Sequence, residues 1–278
     1  MREKTILITG CSSGIGYDAA HTLAKRGWRV FATCRKEADA ARLREEGLES
    51  WALDYADEAS VASGAEEALN RADGRIDALF NNGAFALPAP TEDLSRAGIR
   101  AVFETNLYGP HQLTCALMPA MRAAGGGRIV QCSSVLGFIA LPYRGAYNAS
   151  KFALESLTDT MRREIRGSCV KLILIEPGPI DTKFRINAQA PYETWVRPAR
   201  EASVHPDARW RLLEERLYAR RGAPDHFELP PSAVTAKLIR ALEAPRPRAR
   251  YFVTTPTYFG DMIRRFLPTS LQDRLLSA

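Results

Sequence analysis

The stretch that decides the fold is Thr9-Gly10-Cys11-Ser12-Ser13-Gly14-Ile15-Gly16. An apolar run, 4–8, precedes it, and small and apolar side chains recur at helical spacing from Ala19 to Ala24. Glycines between a strand and a helix let the backbone approach a pyrophosphate, which the free N–H groups and the dipole of the helix attract. A second apolar run, 29–34, completes a strand–turn–helix–strand pattern of about thirty residues, the size of a βαβ unit.

The same alternation continues through the rest of the chain. Because alternating strands and helices build a parallel sheet covered on both faces, we predict an α/β fold, a Rossmann-like doubly wound parallel sheet in three layers. Gly109-Pro110 is expected to bend or interrupt one of the helices. Further apolar runs end in polar or glycine-containing loops at 54, 81–83, 133–134 and 176–179, and helical patterns cover 61–69, 96–121, 146–165 and 232–242.

The length of 278 residues suits one domain, 1–278, since doubly wound folds often exceed 200 residues without dividing. Residues 185–229 break the alternation with prolines and charges. We predict that they form a substrate-loop insertion, or lid, over the site. Residues 257–278 form a C-terminal tail in which arginines alternate with apolar side chains.

Composition excludes several classes of protein. The net charge of +6 is too small to indicate nucleic-acid binding, and no nucleic-acid recognition motif is present. The five cysteines contain no CxxC pair, which favours reduced thiols and predicts no metal site. With no leader pattern and no apolar span, we expect a cytoplasmic protein without an integral membrane segment. The tail could contact a membrane surface, or pack on the domain or another subunit.

A candidate catalytic group lies between the fifth strand and the helix after it. Tyr147 and Lys151 are four residues apart, so they share a helix face. A tyrosine has a pKa of about 10, and a nearby ammonium should lower it toward the range useful for proton transfer. Ser134, at the end of the preceding strand, could hydrogen-bond a substrate oxygen, and Ser133 is the competing serine. Asn106 is also a candidate, since asparagine is disfavoured inside a helix.

The order of these motifs resembles the short-chain dehydrogenase/reductase family, over most of residues 4–185. One departure is Asn-Asn-Gly-Ala at 81–84, where the family usually has Asn-Asn-Ala-Gly. The landmarks that carry the resemblance are Thr9 to Gly16, Asp54, 81–84, Asn106, Ser134, Tyr147, Lys151 and Pro177-Gly178.

The resemblance implies hydride transfer between a nicotinamide and a carbonyl or alcohol carbon. Tyr147 is then the general acid or base, Ser134 positions the oxygen, and Lys151 holds the nicotinamide ribose and tunes Tyr147. Asn106 shapes its helix and holds a water that links the lysine to solvent, and Thr182 contacts the carboxamide. The cofactor-binding residues expected are Gly10, Ser12, Ser13, Gly14, Ile15, Gly16, Arg35, Asp54, Asn81, Gly83, Tyr147, Lys151, Pro177, Gly178, Ile180 and Thr182.

The residues after the second strand favour NADP, with NAD the less favoured alternative. An acid there binds the ribose 2′-hydroxyl of NAD, whereas a base accommodates the 2′-phosphate of NADP. Cys34 stands at the family's acidic position, and Arg35 follows it. Ser12 and Ser13 could add hydroxyl donors. Asp54 stands where the family contacts the adenine amine, or else it caps a loop.

The substrate is predicted to be a small hydrophobic ketone, aldehyde or secondary alcohol. Apolar residues at 136–141 and aromatic residues in the insertion could line its site, or could pack the insertion's own core. The long C-terminal region resembles the branch with 17β-hydroxysteroid and retinol dehydrogenases, so we expect a steroid-, retinoid- or lipid-like substrate. A homodimer or homotetramer is expected. The alternatives are a 3-oxoacyl-type reductase, a non-catalytic NADP-sensing regulator and a nucleotide-sugar epimerase or dehydratase.

Overall fold

The computed structural model describes residues 3–219 and 227–276. In these residues seven strands form one sheet, and every neighbouring pair in it is parallel. The strand order is β3-β2-β1-β4-β5-β6-β7. The strands are β1 (Lys4–Thr9), β2 (Trp28–Cys34), β3 (Glu49–Ala52), β4 (Ala78–Asn81), β5 (Gly127–Cys132), β6 (Val170–Glu176) and β7 (Arg250–Phe252).

Helices cover both faces of the sheet. The helices are α1 (Gly14–Lys25), α2 (Glu37–Glu45), α3 (Glu58–Arg71), α4 (Arg96–Phe103), α5 (Gly109–Ala123), α6 (Gly145–Glu164), α7 (Phe184–Asn187), α8 (Gln189–Trp195), α9 (Asp207–Tyr218), α10 (Pro231–Glu243), α11 (Thr255–Phe266) and α12 (Thr269–Leu276). The helices α1 to α6 alternate with the first six strands, α7 to α9 lie in the insertion, α10 precedes β7, and α11 and α12 form the tail.

The core divides into layers because each helix buries one apolar stripe. On one face α1 and α10 pack with inward side chains of β1 such as Ile6 and Ile8. On the other face α3 and α5 pack against Leu7 and Leu79. Alternate residues of a strand point to opposite faces, so both layers require apolar residues and the strands are apolar throughout. The predicted three-layer, doubly wound fold is confirmed.

The strand order reverses direction at β1, which lies between β2 and β4. In open parallel sheets, ligands bind outside the carboxyl ends of the strands at such a reversal. The polar residues that end the predicted strands are therefore brought to one edge of the sheet. This edge is the place to look for a functional site.

One expectation agrees with the structure and one element was missed. The predicted helix over 96–121 is interrupted, as expected at Gly109-Pro110, by a π-helical turn, Glu104–Tyr108, directly before Gly109. The helix α2 was not predicted, because only Ala40 and Leu43 in it are buried and its other residues are mostly charged. Charged residues alone give no helical apolar period.

The predicted insertion, 185–229, forms α8, a 3-10 segment Arg197–Ala202 and α9, with α7 at its start. Its core holds Tyr192, Trp210, Leu213 and Leu217, all buried. Residues 220–226 of the insertion lie outside the described residues. The tail forms α11 and α12, and its residues 277–278 also lie outside them.

Candidate active site

The glycine-rich turn adopts a backbone that other residues would resist. Gly10 and Gly14 have φ angles of +69° and +62°, in the left-handed region that favours glycine. A Cβ atom on Gly16 would overlap the carbonyl oxygen of Gly10. The turn leads into α1, whose N-terminus presents free N–H groups. It therefore fits a pyrophosphate, because its glycines let a ligand approach the backbone N–H groups at the helix end.

The loop after β4 holds this turn in place. The Thr9 hydroxyl accepts hydrogen bonds from the backbone N–H groups of Asn82 (3.0 Å) and Gly83 (3.2 Å). The Asn82 amide donates to the carbonyl oxygens of Thr9 (3.0 Å) and Gly10 (3.3 Å). A Cβ on Gly83 would lie 3.2 Å from the Tyr55 ring. The Gly83-Ala84 order thus keeps the smaller residue where the loop touches Tyr55.

The side chain of Asn81 lies inside the protein. Its amide donates to Thr114 Oγ1 (2.9 Å) and the Pro110 carbonyl (3.2 Å), and its oxygen accepts from the Tyr55 hydroxyl. All three of these hydrogen bonds are with protein groups. Asn81 therefore anchors the end of β4 to Tyr55 and α5, and its expected contact with a cofactor stays a prediction.

Arg35 and Asp54 lie at the ends of β2 and β3. Arg35 is exposed and, within the described part of the chain, forms no hydrogen bond or ion pair. Asp54 is half-buried, and its carboxylate accepts from the backbone N–H of Ala56 (3.0 Å) in a local turn. Its second oxygen is left for another partner. Both residues thus stand at the carboxyl edge with a free charge or lone pair.

Arg42, on the unpredicted α2, also reaches this turn. Its guanidinium donates to the Ser12 carbonyl (2.8 Å) and to Glu46 (2.8 Å), and it lies 5.6 Å from the centre of the Tyr17 ring. It places a guanidinium, ion-paired with Glu46, beside Ser12. The sequence analysis did not identify Arg42, because its position depends on α2 and the residues of α2 show no apolar periodicity.

Ser134, Tyr147 and Lys151 come together at the end of β5. Ser134 caps a short 3-10 turn, with its hydroxyl accepting from Leu136 N–H (3.1 Å) and lying 3.4 Å from the Pro177 carbonyl. Lys151 Nζ donates to the Cys132 carbonyl (2.8 Å) and lies 5.7 Å from the centre of the Tyr147 ring. Tyr147 stands in the first turn of α6, with all three side chains buried.

Burial controls the protonation of this group. It raises the pKa of Tyr147, with the neighbouring Cys132 adding to the rise, while a hydrogen bond with Ser134 opposes it. Burial lowers the pKa of Lys151. Lys151 is not among the groups that shift the pKa of Tyr147, so the expectation that its ammonium lowers that pKa stays a prediction. Tyr147 is therefore a protonated hydrogen-bond donor at neutral pH, suited to act as an acid.

Ser133 points away from this group. A Cβ on Gly137 would lie 2.6 Å from Ser133 Oγ and 2.9 Å from Glu155 Cγ, so the Ser133 hydroxyl lies toward Glu155. Adjacent residues at the end of a strand face opposite sides, which separates the two serines. Only Ser134 lies on the Tyr147 side.

Asn106 lies in the π-helical turn and is fully buried. Its amide donates to the Phe85 carbonyl (3.0 Å) and to Ser150 Oγ (3.1 Å), and its oxygen accepts from Phe85 N–H (3.1 Å). The Ser150 hydroxyl in turn donates to the Tyr147 carbonyl (2.8 Å). Asn106 therefore connects the loop after β4 to the first turn of α6, and its contacts are with protein groups.

The segment after β6 lies between the glycine-rich turn and the group formed by Ser134, Tyr147 and Lys151. The Pro177 carbonyl accepts from Val135 N–H (2.8 Å), and a Cβ on Gly178 would overlap Thr254 Oγ1. A Cβ on Gly14 would lie 2.9 Å from Thr182 Cγ2, which brings Thr182 against the glycine turn. Ile180 is half-buried against the core beneath α1. This segment thus spans from Ser134 to the turn.

Phe184, which the sequence suggested only as a lining residue, lies against Tyr147. Their ring centres are 5.4 Å apart and the planes cross at 67°, an edge-to-face contact. Phe184 is still partly exposed. An apolar wall therefore borders the candidate acid on its open side.

The helices and the acidic, histidine and cysteine side chains of the described residues show two further features. Across residues 3–219 and 227–276, no helix is long and apolar enough to cross a membrane. In the same residues, no three His, Cys, Asp or Glu side chains are grouped so as to hold a metal ion.

The parallel sheet, the glycine turn and the serine–tyrosine–lysine group define an oxidoreductase with a Rossmann-type nucleotide-binding fold. The chain belongs to the short-chain dehydrogenase family, whose sequence model matches residues 4–193. The predicted family is therefore confirmed.

Individual relatives agree with this assignment. The chain is 38% identical to the uncharacterized oxidoreductase YbbO of Escherichia coli over 274 residues, covering 99% of this chain and 94% of that protein. It is 33% identical to human 17-beta-hydroxysteroid dehydrogenase type 1, covering 96% of this chain and 80% of that protein. A short-chain dehydrogenase/reductase of Burkholderia phymatum, solved in complex with NAD, has a TM-score of 0.77 at 25% identity, covering 97% of this chain and 95% of that chain.

Proposed function

We propose that the protein is an NADP(H)-dependent oxidoreductase acting on a hydrophobic ketone, aldehyde or secondary alcohol, with Tyr147 as the general acid or base. The observation that carries the proposal is the convergence of Ser134, Tyr147 and Lys151 at the end of β5, bordered by Phe184. A buried hydroxyl donor beside a second hydroxyl can bind one carbonyl oxygen and protonate it.

Each residue has a separate part in the proposed reaction. The nicotinamide, when bound, supplies the hydride. Ser134 orients the carbonyl oxygen, and Tyr147 donates its proton to that oxygen as negative charge develops there. Lys151 would hold the nicotinamide ribose, and its ammonium lies 5.7 Å from the centre of the Tyr147 ring. Asn106 holds the first turn of α6 through Ser150, so that Tyr147 keeps its orientation.

The residues present fit a dinucleotide. The open backbone of Gly10, Gly14 and Gly16 leaves room at the start of α1, where a Cβ would not fit. Ile15 follows on the same helix end, and Asp54 keeps a free oxygen for an adenine amine. The segment from Pro177 to Thr182, including Gly178 and Ile180, lies beside the turn and would border the nicotinamide.

The preference for NADP over NAD is supported by charge. Arg35 has no partner in the described residues, and Arg42 lies at the Ser12 carbonyl. Cys34 is buried and carries no charge, because burial raises its pKa to about 12. A 2′-phosphate would therefore meet two cations and the hydroxyls of Ser12 and Ser13, with no acid at the end of β2.

A hydrophobic substrate is supported by the exposed apolar side chains of α7 and α8, one of which, Phe184, contacts Tyr147. Phe184, Ile186 and Trp195 on α7 and α8 are large apolar residues with more than a third of their surface exposed. Exposed apolar side chains grouped on one segment favour an apolar ligand. A steroid-, retinoid- or lipid-like substrate fits this surface. We also propose a single domain over 1–278, a cytoplasmic location and a homodimer or homotetramer.

The test is a panel of ketones and aldehydes with NADPH, followed by loss of the absorbance of reduced nicotinamide. Steroid, retinal and fatty ketone substrates should be turned over, with NADPH preferred to NADH. The panel includes a 3-oxoacyl thioester and sugar nucleotides, whose exclusive turnover would assign a different substrate class. Tight NADPH binding without turnover of any carbonyl would instead favour the non-catalytic sensing function.

A further inference from the structure

A second group of ionisable side chains lies behind Tyr147 and Lys151 on α6. Tyr147, Lys151, Glu155 and Asp159 follow each other at four-residue intervals, so each lies about one turn beyond the last. Glu155 is nearly fully buried, and Glu176, the last residue of β6, is completely buried. Carboxylates are almost never buried to this degree unless they are paired with an opposite charge or hydrogen-bonded.

One guanidinium holds these carboxyl groups together. Arg250, the first residue of β7, contacts both Glu155 and Glu176 through the same nitrogen, Nη1. Its Nη2 donates to Asp159 (2.8 Å), which also pairs with Arg162 (2.7 Å). The two buried carboxyl groups are thus drawn to one atom, and they lie within hydrogen-bonding reach of each other.

Two oxygens of this group lack a donor. Among the described residues, neither Glu155 Oε1 nor Glu176 Oε2 has a hydrogen-bond partner, although both are buried. Two ionised carboxylates offer only acceptors, so nothing on either side chain can satisfy the other. The Ser133 hydroxyl, which lies toward Glu155, can donate to Oε1, and one proton on the pair supplies the remaining donor and removes the repulsion between two like charges in contact.

We propose that Glu155 and Glu176 share a single proton at neutral pH, and that this protonated pair positions Ser134 and Lys151 for catalysis. The link to Ser134 runs through Pro177, which follows Glu176 and whose carbonyl accepts from Val135 N–H (2.8 Å). The link to Lys151 is one turn of α6, and the charge on Glu155 favours the ammonium form of Lys151. The positioning role rests on the proposed oxidoreductase function, whereas the shared proton does not.

The charged and polar groups around Glu155 and Glu176 set the pH at which the pair loses its proton. It faces Lys151, Asp159 and Arg162 from α6, Arg250 from β7 and the Ser133 hydroxyl from the end of β5. Burial, followed by the charge of Glu155, raises the pKa of Glu176 to about 9, although Arg250 opposes the rise. Loss of the shared proton above this pH places two negative charges in contact and should push the end of β6 away from α6.

The shared proton is tested directly by infrared spectroscopy of the purified protein. At pH 7 the wild type should show the C=O absorption of a buried protonated carboxyl group, which disappears as the pH passes about 9. Glu176→Gln and Glu155→Gln should each lose this absorption, whereas Asp159→Asn should keep it. Its absence from the wild type at pH 7, or its persistence in both glutamine variants, would overturn the proposal. Because this readout needs no substrate, it is independent of the proposed function.

The positioning role is tested by the pH profile of kcat/KM. Gln supplies an N–H donor in place of the carboxyl proton, so Glu176→Gln should keep activity within about twofold at pH 7 and move the alkaline limit upward by about one pH unit or more. Glu176→Ala should lose activity at every pH, since it leaves a cavity at the buried end of β6 and removes one of the three carboxyl groups that Arg250 contacts. Asp159→Asn, which removes a carboxylate from the same guanidinium, should leave the alkaline limit unchanged. An alkaline limit that is the same in wild type and Glu176→Gln would refute the role.

The pH dependence of the free energy of unfolding gives a second test, because the proposal predicts that stability falls as the pH rises. The pKa of Glu176 is raised in the folded state, so the folded protein holds a proton that the unfolded chain has lost above about pH 4.3. Stability from this group is therefore fully present below that pH and declines as the pH rises to about 9. The thermal midpoint of the wild type should fall between pH 6 and 9 more steeply than that of Glu176→Gln. Parallel curves would contradict the shared proton.

Discussion

The carboxyl edge of the sheet has two sides that are built differently. The turn side, at the ends of β1, β2 and β4, is formed by backbone: glycines, free N–H groups and the Thr9–Asn82 hydrogen bonds. The tyrosine side, at the ends of β5 and β6 with α6 and α7, is formed by buried side chains whose charges are altered by burial. A backbone site tolerates few residue types, whereas a side-chain site depends on its electrostatic surroundings.

The largest expected effect lies on the tyrosine side. Tyr147→Phe removes the proton donor and leaves the ring in contact with Phe184, so kcat should fall by about 10²- to 10⁴-fold. Binding of NADPH, measured by fluorescence titration, should change little. The matched control is Tyr258→Phe, an exposed tyrosine on α11, which should retain full turnover. Retained turnover in Tyr147→Phe would remove Tyr147 from the chemistry.

The next effect tests the contact between the two sides. Gly14→Ala places a Cβ 2.9 Å from Thr182 Cγ2, so the Thr182 segment must move. A misplacement of about 1 Å can cost about 10²-fold, and we expect NADPH affinity to fall by about 10- to 100-fold. Gly27→Ala is the matched control, because Gly27 is also left-handed (φ +82°) but has open space around it. Equal losses in both variants would mean that backbone strain alone is responsible.

A smaller effect tests the charge on the turn side. Arg35→Asp should reverse the ratio of kcat/KM for NADPH over NADH, by about tenfold or more, since it replaces a phosphate partner with a repelling charge. Lys36→Asp makes the same charge change one residue further on and should have the weaker effect. A wild type that prefers NADH would show that Arg35 does not select the cofactor.

The smallest effect concerns the apolar wall beside Tyr147. Phe184→Ala should raise KM for a bulky hydrophobic ketone by roughly tenfold, because one lost apolar contact is worth about 1–3 kcal/mol. The KM of a small ketone should change less. Phe266→Ala, at an exposed phenylalanine of α11, serves as the control and should change neither value. If both ketones are affected equally, Phe184 orients Tyr147 and does not select the substrate.

The sequence was most informative where function depends on local order. The prediction of a phosphate-binding turn at 9–16 depended on a strand before it and a helix after it, and the structure has β1 and α1 in these places. Tyr147 and Lys151 shared a helix face by their spacing alone. Arg42 was not foreseen, since α2 buries only two residues and has no apolar period to detect. Its contact with Ser12 crosses 30 positions of the sequence.

The sequence by itself determined the family, the fold class and the residues that end each strand, because these follow from periodicity and from motifs within a few residues. Only the tertiary structure decided that Ser134, and not Ser133, lies beside Tyr147, and that burial raises the pKa of Tyr147. It alone joined Glu155, Glu176 and Arg250, which are up to 95 residues apart. Burial and charge depend on what packs around a side chain, and those neighbours come from distant parts of the chain.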